Sequence, residues 1–267
     1  MSAEIVLQPS PDAVALVERR ERLAGVRDRL AEREQELAQL RAQLKGFEDR
    51  YFRQVGVLYA ELDEIEARIA EREATLYGSD DARRRAEESR RRAEESRDAA
   101  FGKGETVEDA FDPSPSLKTL FREVAKRIHP DFARDDAEQR HFTLLMARAN
   151  QAYAHGDAEA LQRLLDDHRE IHSVVAGEDA AAELLRIARQ IQHAERDIAA
   201  LDAERHTLLT GDIALLQVEA EAAAREHRDL LSELASGVRE KIEDAQRRFE
   251  LADRQVNAIV ARSGHSV

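Results

Sequence analysis

The sequence predicts an all-α protein in which long coiled-coil helices flank a small helical hairpin. Charged residues make up 36% of the 267 residues and aromatic residues only 4%, which leaves little material for one large globular core. Apolar residues recur at the 3–4 spacing of coiled-coil seams in two long stretches, one towards each end of the chain. Between them, a short segment that carries several aromatic residues is interrupted by a His-Pro-Asp triplet. We therefore expect three parts, at residues 11–100, 113–167 and 179–262.

The composition also narrows the class of protein. The sequence has no cysteine, which excludes disulfides and thiolate metal sites and suits a reducing cytoplasm. No apolar run approaches the ~20 residues that span a bilayer, and the first residues lack the basic and apolar regions of a signal peptide. A net charge of -14 argues against general binding to nucleic acid. We expect a cytoplasmic protein that binds neither membranes nor nucleic acid.

The first part is predicted to be one long helix from about residue 11 to residue 77. Leucines recur every seven residues along its first half, at Leu16, Leu23, Leu30, Leu37 and Leu44. The seam then makes two successive steps of four, from Phe47 to Tyr51 and from Tyr51 to Val55. Such a stutter locally unwinds a coiled coil.

A tandem heptad, "RRRAEES", occupies residues 83–89 and again 90–96. Ala86 and Ala93 are its only apolar residues, so the repeat predicts either a solvated helical connector or a seam too thin to hold alone. Glutamates are interleaved with the arginines, which disfavours contact with nucleic acid.

The third part predicts a helical hairpin or one interrupted long helix. The sequence "TGD" at residues 210–212 separates two apolar stripes, and Thr210 or Asp212 is able to cap a new helix. The stripes require a partner, which is either the N-terminal coiled coil of the same chain or a second subunit. Periodicity leaves both open, and a homodimer is therefore one possible assembly.

The central part predicts two antiparallel amphipathic helices. Ser114 caps the first with Pro115 at its first position, and Pro130 forbids that helix to continue. The second helix is predicted to end at Gly156, and Asp157 to cap a short third helix. The apolar faces of the first two helices carry Leu117, Leu120, Phe121, Val124 and Ile128, and Phe142, Leu145, Met146, Ala149 and Tyr153. We expect the loop between them to project its His-Pro-Asp triplet.

The quoted residues then support a resemblance. The stretch "LKTLFREVAKRIHPD" resembles the second helix and signature loop of a J-domain, the module of DnaJ-type co-chaperones. The stretch "LMARANQAYAHGD" is similar to its third helix, with Asn150, Ala152 and Tyr153 in the typical pattern. The match covers about a fifth of the chain and depends on the combination, since a His-Pro-Asp triplet alone is weak.

The resemblance implies a function and a set of partner-binding residues. J-domains bind the ATPase domain of a DnaK-type chaperone and accelerate its ATP hydrolysis. Carried across, His129, Pro130 and Asp131 would form the trigger, and the docking surface would be the basic side of the preceding helix, at Lys118, Arg122, Lys126 and Arg127. Residues 117–131 hold four basic and two acidic side chains, hence +2 in a chain of -14, which suits steering towards an acidic partner.

The sequence also departs from the J-domain pattern. No first helix with a Tyr-x-x-Leu-Gly pattern precedes residue 113, and no glycine/phenylalanine-rich region or cysteine repeat follows. The missing helix leaves apolar surface on the other two helices, which something must cover. The flanking coiled coil is the candidate, and it would also restrict access of the partner.

No enzyme class is predicted. The sequence lacks a glycine-rich phosphate loop, a G-x-S-x-G elbow and an H-E-x-x-H site, so we expect no catalytic residue and no cofactor. His168 and His172 lie four residues apart, but histidines on a charged helix are more often solvated than metal-bound, and no metal site is predicted. The leading interpretation is a non-enzymatic co-chaperone or adaptor with an unknown client. The alternative is a structural coiled-coil scaffold with a degenerate J-like docking module.

Overall fold

The computed structural model describes residues 11–101, 111–133, 135–168 and 180–263. These residues form helices and no strand, which confirms the all-α prediction. The helices, in chain order, are α1 (Pro11–Tyr51), α2 (Val57–Tyr77), α3 (Asp80–Phe101), α4 (Pro115–Ile128), α5 (Asp136–Ala154), α6 (Ala158–Asp167), α7 (Ala180–Leu209), α8 (Asp212–Arg225) and α9 (Leu230–Ser263). Within the described ranges, none of these helices combines the length and the apolar character that a bilayer crossing requires.

The predicted stutter coincides with a change in helix type. Between α1 and α2 the backbone forms a π-helical turn, Phe52–Gly56, and the residues on either side, Tyr51 and Val57, keep helical dihedral angles. A π turn inserts one residue and shifts the apolar stripe around the helix. A Cβ atom at Gly56 would lie 2.6 Å from Cδ1 of Phe52, so the turn is tight on this side.

The C-terminal part contains one break that the sequence predicted and one that it did not. The predicted interruption lies between α7 and α8, at residues 210–211. A second one separates α8 from α9, where His227 adopts a positive φ of 60° and Asp229 accepts a hydrogen bond from the backbone N–H of Ser232. The sequence signals for this break are the ten-residue gap in the stripe between Ala220 and Leu230 and Asp229, a residue type that caps helices.

The chain divides into two compact units, which cut across the three parts read along the sequence. Unit 1 comprises Met1–Gln43 and Ala110–Gly211, and unit 2 comprises Leu44–Asp109 and Asp212–Val267. Each unit therefore combines an N-terminal stretch of helix with later segments of the chain.

Unit 2 is built on α2. Gly78, with a φ of 61°, ends α2 and lets α3 run back along it, and Arg90 of α3 donates hydrogen bonds to Glu64 and Glu71. The tandem repeat is thus one arm of a helical hairpin, with Ala93 only 2% exposed in the seam. The core of unit 2 consists of Phe47, Val55, Ile65, Ile69, Leu231, Ala235, Val238, Ile242 and Ala245.

Unit 1 joins α1, α7 and the central helices. The first part of α1 and α7 run in the same direction, because successive arginines of α1 bridge successive acids of α7, at Arg20–Glu183, Arg22–Glu195, Arg33–Asp202 and Arg41–Glu204. Beneath these bridges lies a cluster of Leu23, Val26, Leu30, Phe132, Ile187, Ile191 and Ala194. This stretch of the α1 stripe is therefore covered by α7 of the same chain.

Candidate partner-docking site

The central helices form the hairpin that the sequence predicted, and local signals explain its boundaries. The Ser114 side chain accepts a hydrogen bond from the N–H of Leu117, and Pro115 occupies the first turn of α4. The helix ends at Ile128, because Pro130 cannot continue it and His129 is extended, with ψ of 131°. A single 3-10 turn, Pro130–Phe132, then leads to α5, whose N-terminus is capped by Asp135.

The hairpin has an aromatic core. Phe121 and Tyr153 are fully buried with ring centroids 4.6 Å apart, and Phe111 packs edge-on against Tyr153. Val124, Ile128, Phe142 and Met146 fill the remaining interior, as expected from the stripes. At the end of α5, Gly156 takes a φ of 69° and Asp157 caps α6, again as predicted. Helix α1 closes the core with Ala31 and Ala38, and Gln35 donates a hydrogen bond to the Tyr153 hydroxyl, 3.1 Å away.

The sequence led us to expect a projecting loop, and this expectation was wrong for His129. The His129 side chain is buried, with 4% of its residue surface exposed. Its Nδ1 accepts a hydrogen bond from the N–H of Asp131 at 3.2 Å, so the ring proton lies on Nε2. That nitrogen is 3.5 Å from Oε1 of Glu34, on α1. The loop therefore lies against α1, and Pro130 and Asp131 are only half exposed.

Asp131 faces an unusual environment for a carboxylate. Burial, reinforced by the nearby Asp197 carboxyl of α7, raises its pKa from 3.8 to about 6, against the lowering effect of His129 and His193. Among the described residues no donor reaches Asp131 Oδ2, which is buried. Two carboxyl groups can share a hydrogen bond only if one of them carries the proton, so the pair favours protonation. Asp131 is thus held against α7 with its charge poorly compensated.

One residue of the basic side of α4, Lys126, contacts α1. The predicted docking residues Lys118, Arg122, Lys126 and Arg127 are all half-buried. Nζ of Lys126 lies 2.8 Å from Oδ1 of Asp28 on α1, and this hydrogen bond raises the pKa of Lys126. Nη1 of Arg127 is buried and meets no acceptor in the described part of the chain. The predicted docking residues are thus present on α4, but their side chains are only partly accessible to a partner.

Phe132 secures the other side of the loop. It is 4% exposed, and the Arg27 guanidinium of α1 lies over its ring, 4.2 Å from the centroid. Burial lowers the pKa of Arg27, whose Nε meets no acceptor among the described residues.

The sequence does not indicate the residues that face the loop and the end of α4 from other helices, namely Arg27, Asp28, Glu34 and Asp197. Each reads as an ordinary charged residue on a solvated helix face. Only the pairing of distant helices brings them to the loop, and no spacing within one helix signals that pairing.

One group of side chains has the composition of a metal site. His129, Asp131 and Asp197 each offer a ligand atom, all within 4.8 Å of one another. Both nitrogens of His129 are already directed at other groups, Nδ1 at the Asp131 N–H and Nε2 at Glu34. A cation would have to displace one of these contacts, so the group is better described as a polar contact between the loop and α7. His168 accompanies His141 with ring centroids 5.9 Å apart, whereas His172 lies outside the described residues.

No family model, no curated protein and no solved structure matches this chain. The resemblance to J-domains therefore stays a prediction, carried by the residues and geometry above.

Proposed function

We propose that this chain is a cytoplasmic, non-enzymatic co-chaperone or adaptor that recruits a DnaK-type chaperone and stimulates its ATP hydrolysis. The observation that carries the proposal is the α4–α5 hairpin, which combines a His-Pro-Asp turn with a basic side on the preceding helix. The other long helices would provide oligomerisation or recognition of a client protein.

Charge supports this assignment. The segment from Leu117 to Asp131 is net positive, whereas the whole chain carries -14. A positive strip on an acidic protein steers towards an acidic partner surface while the remainder repels other anions. Lys118, Arg122 and Lys126 follow one another at intervals of four residues, so they lie along one side of the helix and a single partner surface could contact all three.

The test is single-turnover ATP hydrolysis by a DnaK-type chaperone with increasing concentrations of the intact chain. High concentrations are needed because a partner that requires an exposed loop binds only the exposed fraction. We expect acceleration that is lost in His129→Gln and kept in His141→Gln, an exposed histidine of α5. His129→Gln also removes contacts that bury the loop, so mere exposure of the loop would raise rather than abolish stimulation. Equal acceleration by both variants would contradict a role for the triplet.

The burial of His129 favours one other candidate function. In a structural helical scaffold the hairpin would serve as part of the packing of unit 1 and would recruit no ATPase. This alternative predicts no acceleration at any concentration, including from variants whose loop is exposed. The same assay therefore separates the two functions.

A further inference from the structure

We propose that α1 and α7 hold the J-like module, which consists of α4, α5 and the loop between them, in an autoinhibited state. In this state α1 and α7 occupy the surface that a DnaK-type ATPase would contact. This inference rests on the proposed function, because it names how the same site is regulated. Docking of the partner would require the loop and α4 to separate from α1 and α7.

The loop between α4 and α5 is occluded by α1 and α7. His129 and Phe132, at the start and the end of the loop, are each 4% exposed. Phe132 belongs to the cluster that joins α1 to α7, and His129 is covered by Glu34 of α1. A partner that binds these side chains directly cannot reach them while α1 and α7 stay in place.

The charge of the covering surface also favours competition with a partner. The acidic groups that meet α4 and the loop are Asp28 and Glu34 from α1 and Asp197 from α7. The cation Arg27 of α1 lies over the ring of Phe132. An acidic surface is what the positive strip of α4 would recognise on a separate protein. The covering helices thus present acidic side chains from within the same chain, as the partner would from a separate protein. The two therefore compete for one surface.

The covered state also contains poorly satisfied groups. Oδ2 of Asp131 and Nε of Arg27 are buried without a hydrogen-bond partner among the described residues. Asp131 faces Asp197 of α7, and Arg27 of α1 lies over the ring of Phe132, so both groups lie at the contact between the loop and the covering helices. Each would regain water when the contact opens. By contrast, the aromatic core of the hairpin is apolar and packed. The contact with α1 and α7 is therefore less well satisfied than that core.

The experiment compares two full-length variants of equal charge change. Asp28→Lys/Glu34→Lys places cations against Lys126 and His129 and should open the contact. Glu18→Lys/Glu21→Lys makes the same change at two exposed positions of α1 and serves as the control. Far-UV circular dichroism checks that both remain helical.

The partner-free readout is hydrogen exchange of the loop amides. The N–H groups of Asp131, Phe132 and Ala133 donate to His129 Nδ1, His129 O and Pro130 O in the covered state. We expect these amides to exchange about tenfold faster or more in the opening variant than in the native chain and the control. Equally fast exchange in all three proteins would overturn autoinhibition, whatever the ATPase assay gives.

A second variant moves the contact the other way and does not depend on destabilisation. Asp197→Asn replaces a like charge by an amide that can donate to the Asp131 carboxylate, so loop exchange should slow. Unchanged or faster exchange would count against the proposed contact, because α7 would then not be restraining the loop.

ATP hydrolysis by the DnaK-type chaperone completes the design. The opening variant should stimulate hydrolysis at about tenfold lower concentration than the native chain, as expected when the competent fraction rises tenfold. Autoinhibition would be overturned if the loop amides of the native chain were protected from exchange and the native chain still stimulated hydrolysis fully. In that case the opening variant would give no further stimulation. Clear opening by exchange with no stimulation from any variant would leave the covered state supported and would instead reject the proposed co-chaperone function.

Discussion

Asp131 is the residue at which the burial of the loop has a measurable electrostatic consequence. Its pKa is raised because burial and the Asp197 carboxyl both disfavour the charged form. The titratable groups around it are Asp197 and His193 on α7, His129 in the loop itself, and Glu34 on α1 beyond His129. Three acids against two histidines leave this contact with an excess of negative charge at neutral pH.

The raised pKa predicts how stability depends on pH. A carboxyl whose pKa is near 3.9 in the unfolded chain and about 6 in the folded chain binds its proton more tightly when folded. Its favourable contribution is complete below the unfolded pKa and is lost as pH rises through the folded pKa. Unit 1 should therefore lose stability between about pH 4 and pH 6 on account of this group, as measured by urea unfolding across that range.

Two substitutions on α7 isolate the effect from the titration of the histidines. Asp197→Asn should flatten this part of the pH profile relative to the native chain, because the like charge is removed. Asp202→Asn is the control, since Asp202 pairs with Arg33 at 3.1 Å and does not face the loop. A native slope retained in Asp197→Asn would show that the two carboxyl groups do not interact.

At the level of elements, the helix boundaries follow local chemistry where turn-forming residues are present. Helix caps depend on only a few neighbouring residues, here Ser114 with Pro115 and Gly156 with Asp157. The start of α4 and the end of α5 were therefore predicted correctly from the sequence. The break between α8 and α9 has one such residue, Asp229, which caps α9, whereas the positive φ of His227 is imposed on a side chain that rarely adopts it. The local sequence therefore marks the start of α9 more clearly than the end of α8.

The α2–α3 hairpin allows a direct test of how thin a seam can be. Ala93→Glu would place a charge at a position that is 2% exposed and should reduce the free energy of unfolding by about 2 kcal/mol or more. Ala99→Glu, at an exposed position of the same helix, should change it by no more than about 0.5 kcal/mol. Urea denaturation measures both. Similar small effects would mean that α3 is a solvated connector that does not depend on its alanine seam.

At the scale of the whole molecule, the candidate site was predicted from one side only. The triplet and the basic residues of α4 can be read along the chain, because all of them belong to one helix and its turn. Asp28 and Asp197 lie about a hundred and seventy residues apart in sequence, and only the packing of α1 with α7 brings both to the module. An apolar stripe indicates that a helix packs against another helix. Many helices of this chain carry equivalent stripes, so the spacing does not determine which helix is the partner.

The two compact units lead to a last prediction, about separate stability. Phe121 is fully buried in the core of the module in unit 1, and Ile242 is 6% exposed in the core of unit 2. Truncation to alanine leaves a cavity in one core only, at a cost of about 3–5 kcal/mol for Phe121→Ala and about 2–5 kcal/mol for Ile242→Ala.

Hydrogen exchange can locate each loss, with the amides of α5 reporting on unit 1 and those of α9 on unit 2. Phe121→Ala should accelerate exchange in α5 and spare α9, and Ile242→Ala should do the reverse. Helix α1 supplies residues to both units, so its own amides are not used as reporters. If either substitution accelerated exchange equally in α5 and α9, the chain would unfold as one cooperative body.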